Sequence, residues 1–302
     1  MTGVDIDSSM VQQQEDLNNL VLDNRGHDEW AGHKDMWWRI LYTTFFITAF
    51  GYLMARRSSD TKFHLIKPVP VVILGYIVLL WCSIHSHSSL FHLLIPHNPT
   101  SYAIYISAGL FLSAIGDFCL IYKRFFVHGV LFFLAAHLSF ILAFTAESES
   151  LSKFFTPVVI VCLVSFNIFF VYMFITKVIP LFIKQTPKSL SIALFFYTSV
   201  IVTMCYTASV KAISNIDFSN PEQLFVNWNR LFSSLALYAL IGALGAILFF
   251  ISDLMILCRE INALSKNQVS LIRKFIGDGD VGMITYWLGQ LCIALSVSAS
   301  AL

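Results

Sequence analysis

Long apolar runs recur along this chain, separated by short polar segments. Eight of them are long enough for a helix to cross the hydrocarbon core of a bilayer, which takes about 20 residues. They cover approximately residues 37–55, 68–84, 102–122, 126–146, 156–176, 189–210, 231–257 and 281–302. The runs are continuously apolar and lack the short alternating segments of a membrane β-barrel. The pattern predicts an all-α, polytopic membrane bundle of about eight transmembrane helices.

The first 35 residues depart from this pattern because they are polar and acidic. We expect a disordered acidic tail at 1–35 and an eight-span membrane domain at 36–302. No cleavable signal peptide is predicted, so the first span should target the chain to the membrane. Hydrophobic residues make up 57% of the sequence and charged residues only 12%, which excludes an ordinary soluble enzyme.

The charges are nearly balanced, at a net +1, so nothing indicates a nucleic-acid partner. Their placement predicts an orientation. Of the 19 Lys and Arg residues, 13 fall in the first, third, fifth and seventh loops between the predicted spans. Cytosolic loops of membrane proteins carry an excess of Lys and Arg. We therefore expect the odd-numbered loops in the cytosol and both termini on the other side.

Two predicted spans carry the same polar pattern. The third contains Gly109 eight residues before Asp117, and the seventh contains Gly245 eight residues before Asp253. A cation follows each aspartate by six residues. Four spans separate the two copies, which predicts a parallel four-plus-four internal repeat with both aspartates at one depth, in the cytosolic half.

An ionisable group within a span is costly and usually faces the bundle interior or a wet cavity. We therefore predict that Asp117 and Asp253 are catalytic. The alternative is that each carboxylate only ties spans together, with a nearby cation snorkelling toward it. That alternative explains a single acid more easily than a matched pair.

Other polar or small residues in the apolar runs are candidates for the same cavity. His137 is a catalytic candidate, although a lone intramembrane histidine can be just an interhelical hydrogen-bonding group. Lys67 at the cytosolic mouth of the second span could bind a phosphate or simply snorkel. The remaining substrate-binding candidates are Tyr286, Gln290, Gly116 and Ser252. The last two are small residues, which also serve plain helix packing.

No metal or other cofactor is expected. The six cysteines lie in or beside apolar runs without CxxC spacing, which indicates small buried hydrophobes. Four histidines, His85, His87, His92 and His97, have a metal-ligand appearance but lie in the second loop, on the face opposite the aspartates. No set with ligand spacing shares the depth of the acids.

The order of these short motifs resembles the YhhN family of membrane proteins, the lysoplasmalogenases. The matching pieces lie within residues 37–302. They are Lys67-Pro68, Ser-Ala-Ile-Gly116-Asp117, Ala136-His137, Gly242-Ala-Leu-Gly245, Phe249-Phe-Ile-Ser252-Asp253 and Tyr286-Trp-Leu-Gly-Gln290. No single motif is long, so the resemblance depends on their order, their spacing and the eight-span setting.

The resemblance implies a hydrolase that cleaves the vinyl ether bond of lysoplasmalogens. The products would be a fatty aldehyde and glycerophosphoethanolamine or glycerophosphocholine. Paired carboxyl groups suit this reaction, with one protonating the alkene carbon and the other stabilising the resulting cation and orienting water. The residues do not indicate which aspartate has which role.

The expected partners are a lysophospholipid substrate and membrane lipids, in the endoplasmic reticulum or a related endomembrane. The oligomeric state is left open. A solute or proton-coupled transporter is the alternative, since parallel repeats with paired intramembrane acids also describe carriers. The depth of the aspartates argues against it, because alternating access favours sites near the midplane.

Overall fold

The structure, a computed structural model, describes residues 39–54, 61–85, 101–146, 188–215, 234–264 and 280–297, together with five positions between 161 and 172. Every long element in these residues is an α-helix, and no strand occurs among them. We number the helices α1 (39–54), α2 (Val69–His85), α3 (Ser101–Ile121), α4 (Phe126–Thr145), α5 (Lys188–Ser214), α6 (Ser234–Leu264) and α7 (Asp280–Leu295).

The predicted helical membrane bundle is confirmed. Within the described ranges, five helices are long and apolar enough to cross a membrane, at His64–Trp81, Ser101–Ile121, Phe126–Thr145, Phe195–Ser214 and Ala236–Ile256; Val281–Leu295 is a shorter apolar helix. The described positions of the predicted first and fifth spans are also helical. The count of eight stays a prediction, and the acidic tail and the second loop lie outside the described residues.

The helices pack in pairs that a four-plus-four repeat would produce. The most extensive contacts join α3 to α4 and α6 to α7, followed by α2 with α3 and α5 with α6. Two further contacts, α4 with α5 and α7 with α2, join the halves to each other. If α2, α3 and α4 are exchanged with α5, α6 and α7, each of these contacts becomes another of the contacts just named. The repeat itself stays a prediction, and this pairing is consistent with it.

Short connections fix the positions of α2, α3 and α4. A 3-10 helix at Thr61–Ile66 leads through Lys67 and Pro68 into α2, and the carbonyl of Pro68 accepts hydrogen bonds from Val71 and Val72 at 3.1 and 3.0 Å. The ring of Pro68 fixes its backbone φ, which sets the direction in which the chain enters the helix. Between α3 and α4, a 3-10 turn at Lys123–Phe125 keeps the two helices antiparallel neighbours.

The bundle has an apolar outside and an aromatic and polar inside. Large apolar side chains stay exposed on several helices, among them Phe46, Val127 and Phe196. Lipid rather than water is the solvent for such surfaces. Inside, Phe140, Phe249 and Leu110 are fully buried, and so are polar side chains such as His137 and Gln290. The chemistry-bearing side chains therefore face the bundle interior.

Glycines bring α6 and α7 into backbone contact. A β-carbon added at Gly245 would lie 2.8 Å from the carbonyl oxygen of Gly289 and 2.8 Å from the backbone nitrogen of Ile293. A β-carbon at Gly289 would lie 2.9 Å from the nitrogen of Phe249. Close approach of this kind is how small residues drive helix packing in membranes. It positions the aspartate end of α6 against α7.

We predict that Gly245→Ala destabilises the bundle, because the new methyl group would meet backbone atoms that cannot rotate away. Overpacking of this kind costs about 1–3 kcal/mol. Gly51→Ala is the matched control, since a β-carbon there would have nothing within 4 Å. Thermal unfolding of the purified proteins in detergent is the measurement. Equal unfolding temperatures for the two variants would contradict this account of the contact.

Candidate active site

Asp117 is buried with both carboxylate oxygens occupied. The ammonium group of Lys67 lies 2.7 Å from Oδ1, and the hydroxyl of Tyr286 donates to Oδ2 at 2.8 Å. The three side chains come from the turn before α2, from α3 and from α7. The aspartate side chain is only 1% exposed and Lys67 is 13% exposed. A buried carboxylate with a cation and a second donor is stabilised as the ion.

Asp253 is held by a different pair of partners. Tyr197 donates its hydroxyl to Oδ2 of the carboxylate through a short hydrogen bond. Nε2 of His137 lies 3.2 Å from the same oxygen and 3.1 Å from the Tyr197 hydroxyl. These groups come from α5, α6 and α4. Oδ1 of Asp253 has no hydrogen bond to any described residue, and the side chain is 10% exposed.

An aromatic cluster joins the two carboxylates. The Phe249 ring lies 4.7 Å from that of His137 and 5.2 Å from that of Tyr286, measured between ring centroids. Phe133 contacts both Phe249 and Tyr286, at 6.2 and 6.1 Å. Asp117 and Asp253 lie within electrostatic reach of each other across this cluster. The structure therefore brings the two predicted acids into one site with an apolar wall.

The partners of the two aspartates follow a crossed pattern. Asp117 takes Lys67 from just before the preceding helix of its own half and Tyr286 from the last helix of the other half. Asp253 takes Tyr197 from the preceding helix of its own half and His137 from the last helix of the other half. Each carboxylate thus links the two halves of the chain.

Tyr197 was not predicted from the sequence. Several hydroxyl-bearing residues lie on the same helix, among them Thr198, Ser199 and Tyr206, and the hydroxyl alone does not distinguish Tyr197 from them. The predicted repeat offered an indication: if Lys67 approaches the aspartate of the next helix, a polar residue on α5 should approach Asp253. Tyr197 is the α5 side chain that does so in the structure.

The other candidates lie close to the aspartates but make contacts of their own. Ser252 donates to the carbonyl of Gly282 on α7 at 3.0 Å. Gly116 admits the Phe133 ring, which would lie 2.9 Å from a β-carbon there. Both residues therefore take part in helix packing beside the site. Gln290 is fully buried one turn along α7 from Tyr286.

Lys67 has a partner that the sequence did not predict. From the sequence, Lys67 could bind a phosphate or snorkel, and only the alternative, non-catalytic interpretation of Asp117 placed a cation beside it, namely one following it in sequence. Instead, Lys67 reaches Asp117 from the turn before α2, which precedes the aspartate by about 50 residues of sequence. The side chains of Lys123 and Arg259 lie outside the described residues.

No group of three or more metal-binding side chains is present among the described residues. His87, His92 and His97 lie outside the described part of the chain.

Comparison with known proteins gives two findings. Residues 62–297 match the family model described as the YhhN family. The chain is also 59% identical over 296 residues to a Dictyostelium discoideum protein named lysoplasmalogenase homolog, and the match covers 96% of this chain and 95% of that protein. No solved structure matches. All residues of the site lie within the matched range.

We predict that Lys67→Met lowers the free energy of unfolding, because it leaves the buried charge of Asp117 without its cation. Breaking a buried ion pair on one side costs up to about 3–5 kcal/mol. The double substitution Lys67→Met with Asp117→Asn removes both charges and should recover most of that loss. Thermal unfolding in detergent compares the two. A double variant no more stable than Lys67→Met would contradict the ion pair's role.

Proposed function

Since this chain belongs to the YhhN family, we propose that it is a lysoplasmalogenase, which hydrolyses the vinyl ether bond at the first glycerol carbon of a lysoplasmalogen. The name of the 59% identical relative supports this activity. The observation that carries the proposal is the pair of buried carboxylates, one fully paired and the other with an oxygen to spare. Such a pair supplies what vinyl ether hydrolysis needs.

The reaction begins with proton transfer to carbon. An acid protonates the β-carbon of the vinyl ether, the π electrons form the new C–H bond, and the neighbouring carbon becomes an oxocarbenium ion. Water adds to that carbon and gives a hemiacetal, which collapses to an aldehyde and the glycerol hydroxyl. The protein must supply one acid, one negative charge near the cation, and a base for the water.

Asp253 is our candidate for the acid. Its Oδ2 accepts from Tyr197 and lies beside His137, whereas Oδ1 is not held by any described residue. Its 10% exposure leaves a route for substrate that the 1% exposure of Asp117 does not. A carboxyl group fixed at one oxygen can present a proton on the other to a substrate carbon. Tyr197 and His137 would orient this carboxyl group.

Asp117 is our candidate for the negative charge. Lys67 on one oxygen and Tyr286 on the other both donate to this carboxylate and favour its charged form. It lies within electrostatic reach of Asp253, so it can stabilise a cation that forms beside that residue. The sequence left the two roles unassigned, and this difference in partners favours one assignment.

Lys67 could serve both Asp117 and the substrate. A lysine ammonium has three donors, and the ion pair with Asp117 uses one of them. The side chain is partly exposed at the end of the site where the polar headgroup of a lysophospholipid would enter. We propose that a second donor of Lys67 binds the substrate phosphate. The alkenyl chain would then extend along the apolar wall of the site.

The chain is a multi-pass membrane protein, and we propose the endoplasmic reticulum or a related endomembrane as its location. With the odd-numbered loops in the cytosol, Lys67 lies at the cytosolic mouth. Substrate would enter from that leaflet. Besides the fatty aldehyde, the product would be glycerophosphoethanolamine or glycerophosphocholine, according to the headgroup of the substrate.

We predict that Asp253→Asn and Asp117→Asn each reduce turnover by on the order of 10²-fold or more, because each removes a charge or proton from the reaction. The double variant should lose little more than the worse single one, since the pair acts as a unit. Aldehyde release from lysoplasmenylethanolamine by purified protein in detergent is the measurement. It also separates hydrolysis from transport, because a transporter forms no chemical product.

Thermal unfolding controls for folding of the two Asn variants. Folded Asn variants that turn over the lipid near the parent rate would show that the aspartates are structural. Absence of aldehyde with the parent protein itself would contradict the proposed activity.

We predict that Tyr197→Phe lowers turnover by on the order of tenfold, because Asp253 loses the hydroxyl that orients it. Tyr76→Phe is the matched control, since Tyr76 is 53% exposed on α2 and contacts the ring of Phe111. The same aldehyde assay compares the two variants. Equal losses of turnover in the two variants would show that the Tyr197 hydroxyl has no specific role in the reaction.

A further inference from the structure

Several buried side chains have polar atoms without a hydrogen-bond partner among the described protein atoms, and three of these side chains lie on α3, α4 and α7 within about one turn of the aspartates or their partners. The unpartnered atoms of these three are the hydroxyl of Ser113, Nδ1 of His137 and both amide atoms of Gln290. All three side chains are fully buried. A buried polar atom without a partner costs about 1–3 kcal/mol, and native proteins usually satisfy such atoms with an internal water. These atoms therefore point to a ligand.

The register of the helices places Ser113 and His137 in one layer. Gly116 of α3 faces Phe133 of α4, and Gly109 faces Phe140, so the helices are antiparallel in this stretch. Ser113 lies between the two glycines on α3, just as His137 lies between the two phenylalanines on α4. The two polar residues are therefore level with each other.

Gln290 belongs to the same layer. It follows Tyr286 by one turn of α7, and its amide approaches the Tyr286 hydroxyl without forming a hydrogen bond of good geometry. The hydrogen bonds between Tyr102 and Ser296 and between Tyr286 and Asp117 show that α3 and α7 are antiparallel, so one turn beyond Tyr286 on α7 matches one turn before Asp117 on α3. The layer lies about 5–6 Å from the Asp117–Tyr286 hydrogen bond, on the side away from Lys67. Phe249 borders it through its contact with His137.

We propose that Ser113, His137 and Gln290 form a buried water chamber that supplies the water consumed in hydrolysis. The group composition suits water, which needs two to four polar partners of mixed donor and acceptor character. The aromatic rings around it exclude a headgroup, and its distance from Lys67 separates it from the phosphate. Ser113 becomes a positioning residue that no motif had indicated.

His137 is the base for this water. Its Nε2 lies against Asp253 and so carries the ring proton, which leaves Nδ1 as an acceptor toward the chamber. When water adds to the oxocarbenium carbon, a new C–O bond forms and one water proton moves to Nδ1. The imidazolium then gives its Nε2 proton to Asp253, which gave its own to carbon, so both groups regain their starting charges. The ring is left protonated on Nδ1, and proton exchange with water in the chamber restores the Nε2–H tautomer, so no other reactant is required.

Radiolytic labelling with isotope-labelled water tests the chamber without any enzymatic reaction. Hydroxyl radicals formed from a bound water oxidise the side chains beside it. Phe249 and Phe133 should be labelled faster than Phe45, which is equally buried but lies on α1. Labelling of all three at one low rate would show a dry layer and overturn the inference.

Methanol capture tests the catalytic role of the chamber, which rests on the proposed function. Methanol that adds to the oxocarbenium ion gives a methyl acetal, whereas water gives the aldehyde. Ser113→Ala and Gln290→Leu should raise the acetal share by roughly two- to tenfold, the change expected when the water loses one hydrogen bond. Ser139→Ala is the matched control, because the Ser139 hydroxyl already donates to the carbonyl of Tyr105 at 3.1 Å.

The outcomes separate the two proposals. Unchanged acetal shares in both chamber variants would overturn the role of the chamber while leaving the hydrolase intact. If the parent forms neither aldehyde nor acetal, the proposed function fails, and the labelling result alone then decides whether the chamber binds water.

Discussion

Two carboxylates buried in an apolar bundle dictate much of this structure, because a charge in that setting is tolerated only with partners at hydrogen-bonding distance. Asp117 gathers Lys67 and Tyr286, and Asp253 gathers Tyr197 and His137. Together these contacts involve α3 to α7 and the turn before α2. The contacts that join these helices are therefore the same contacts that form the site.

Close helix packing makes these contacts possible. Gly245 and Gly289 remove the side chains that would otherwise hold α6 and α7 apart, and Gly116 makes room for Phe133. Only at such short separations can an aspartate on one helix reach a tyrosine or histidine on another. The glycines and the acids therefore depend on each other: the glycines permit the approach, and the hydrogen bonds repay part of the cost of burying charge.

The predicted repeat would place the two aspartates on corresponding helices of the two halves. In the structure, each aspartate takes partners from both halves. Yet a lysine holds one, whereas a tyrosine and a histidine hold the other. A fixed ion pair suits a constant negative charge, and neutral donors suit a group that exchanges a proton. Two identical side chains therefore have different surroundings, and it is on this difference that the proposed roles depend.

The class of protein, most of the helix positions and the candidacy of Asp117 and Asp253 as site residues could be predicted from the sequence. Continuous apolar runs and isolated charges are local properties, so they can be read along the chain. Tertiary structure was needed to show the pairing of Lys67 with Asp117 and the contact of Tyr197 with Asp253. It also shows the unpartnered buried atoms of Ser113, His137 and Gln290. These depend on which helices are neighbours and on their register and rotation. Helix periodicity does not encode such relations, because in a lipid-solvated bundle apolar residues cover both the inward and the outward faces.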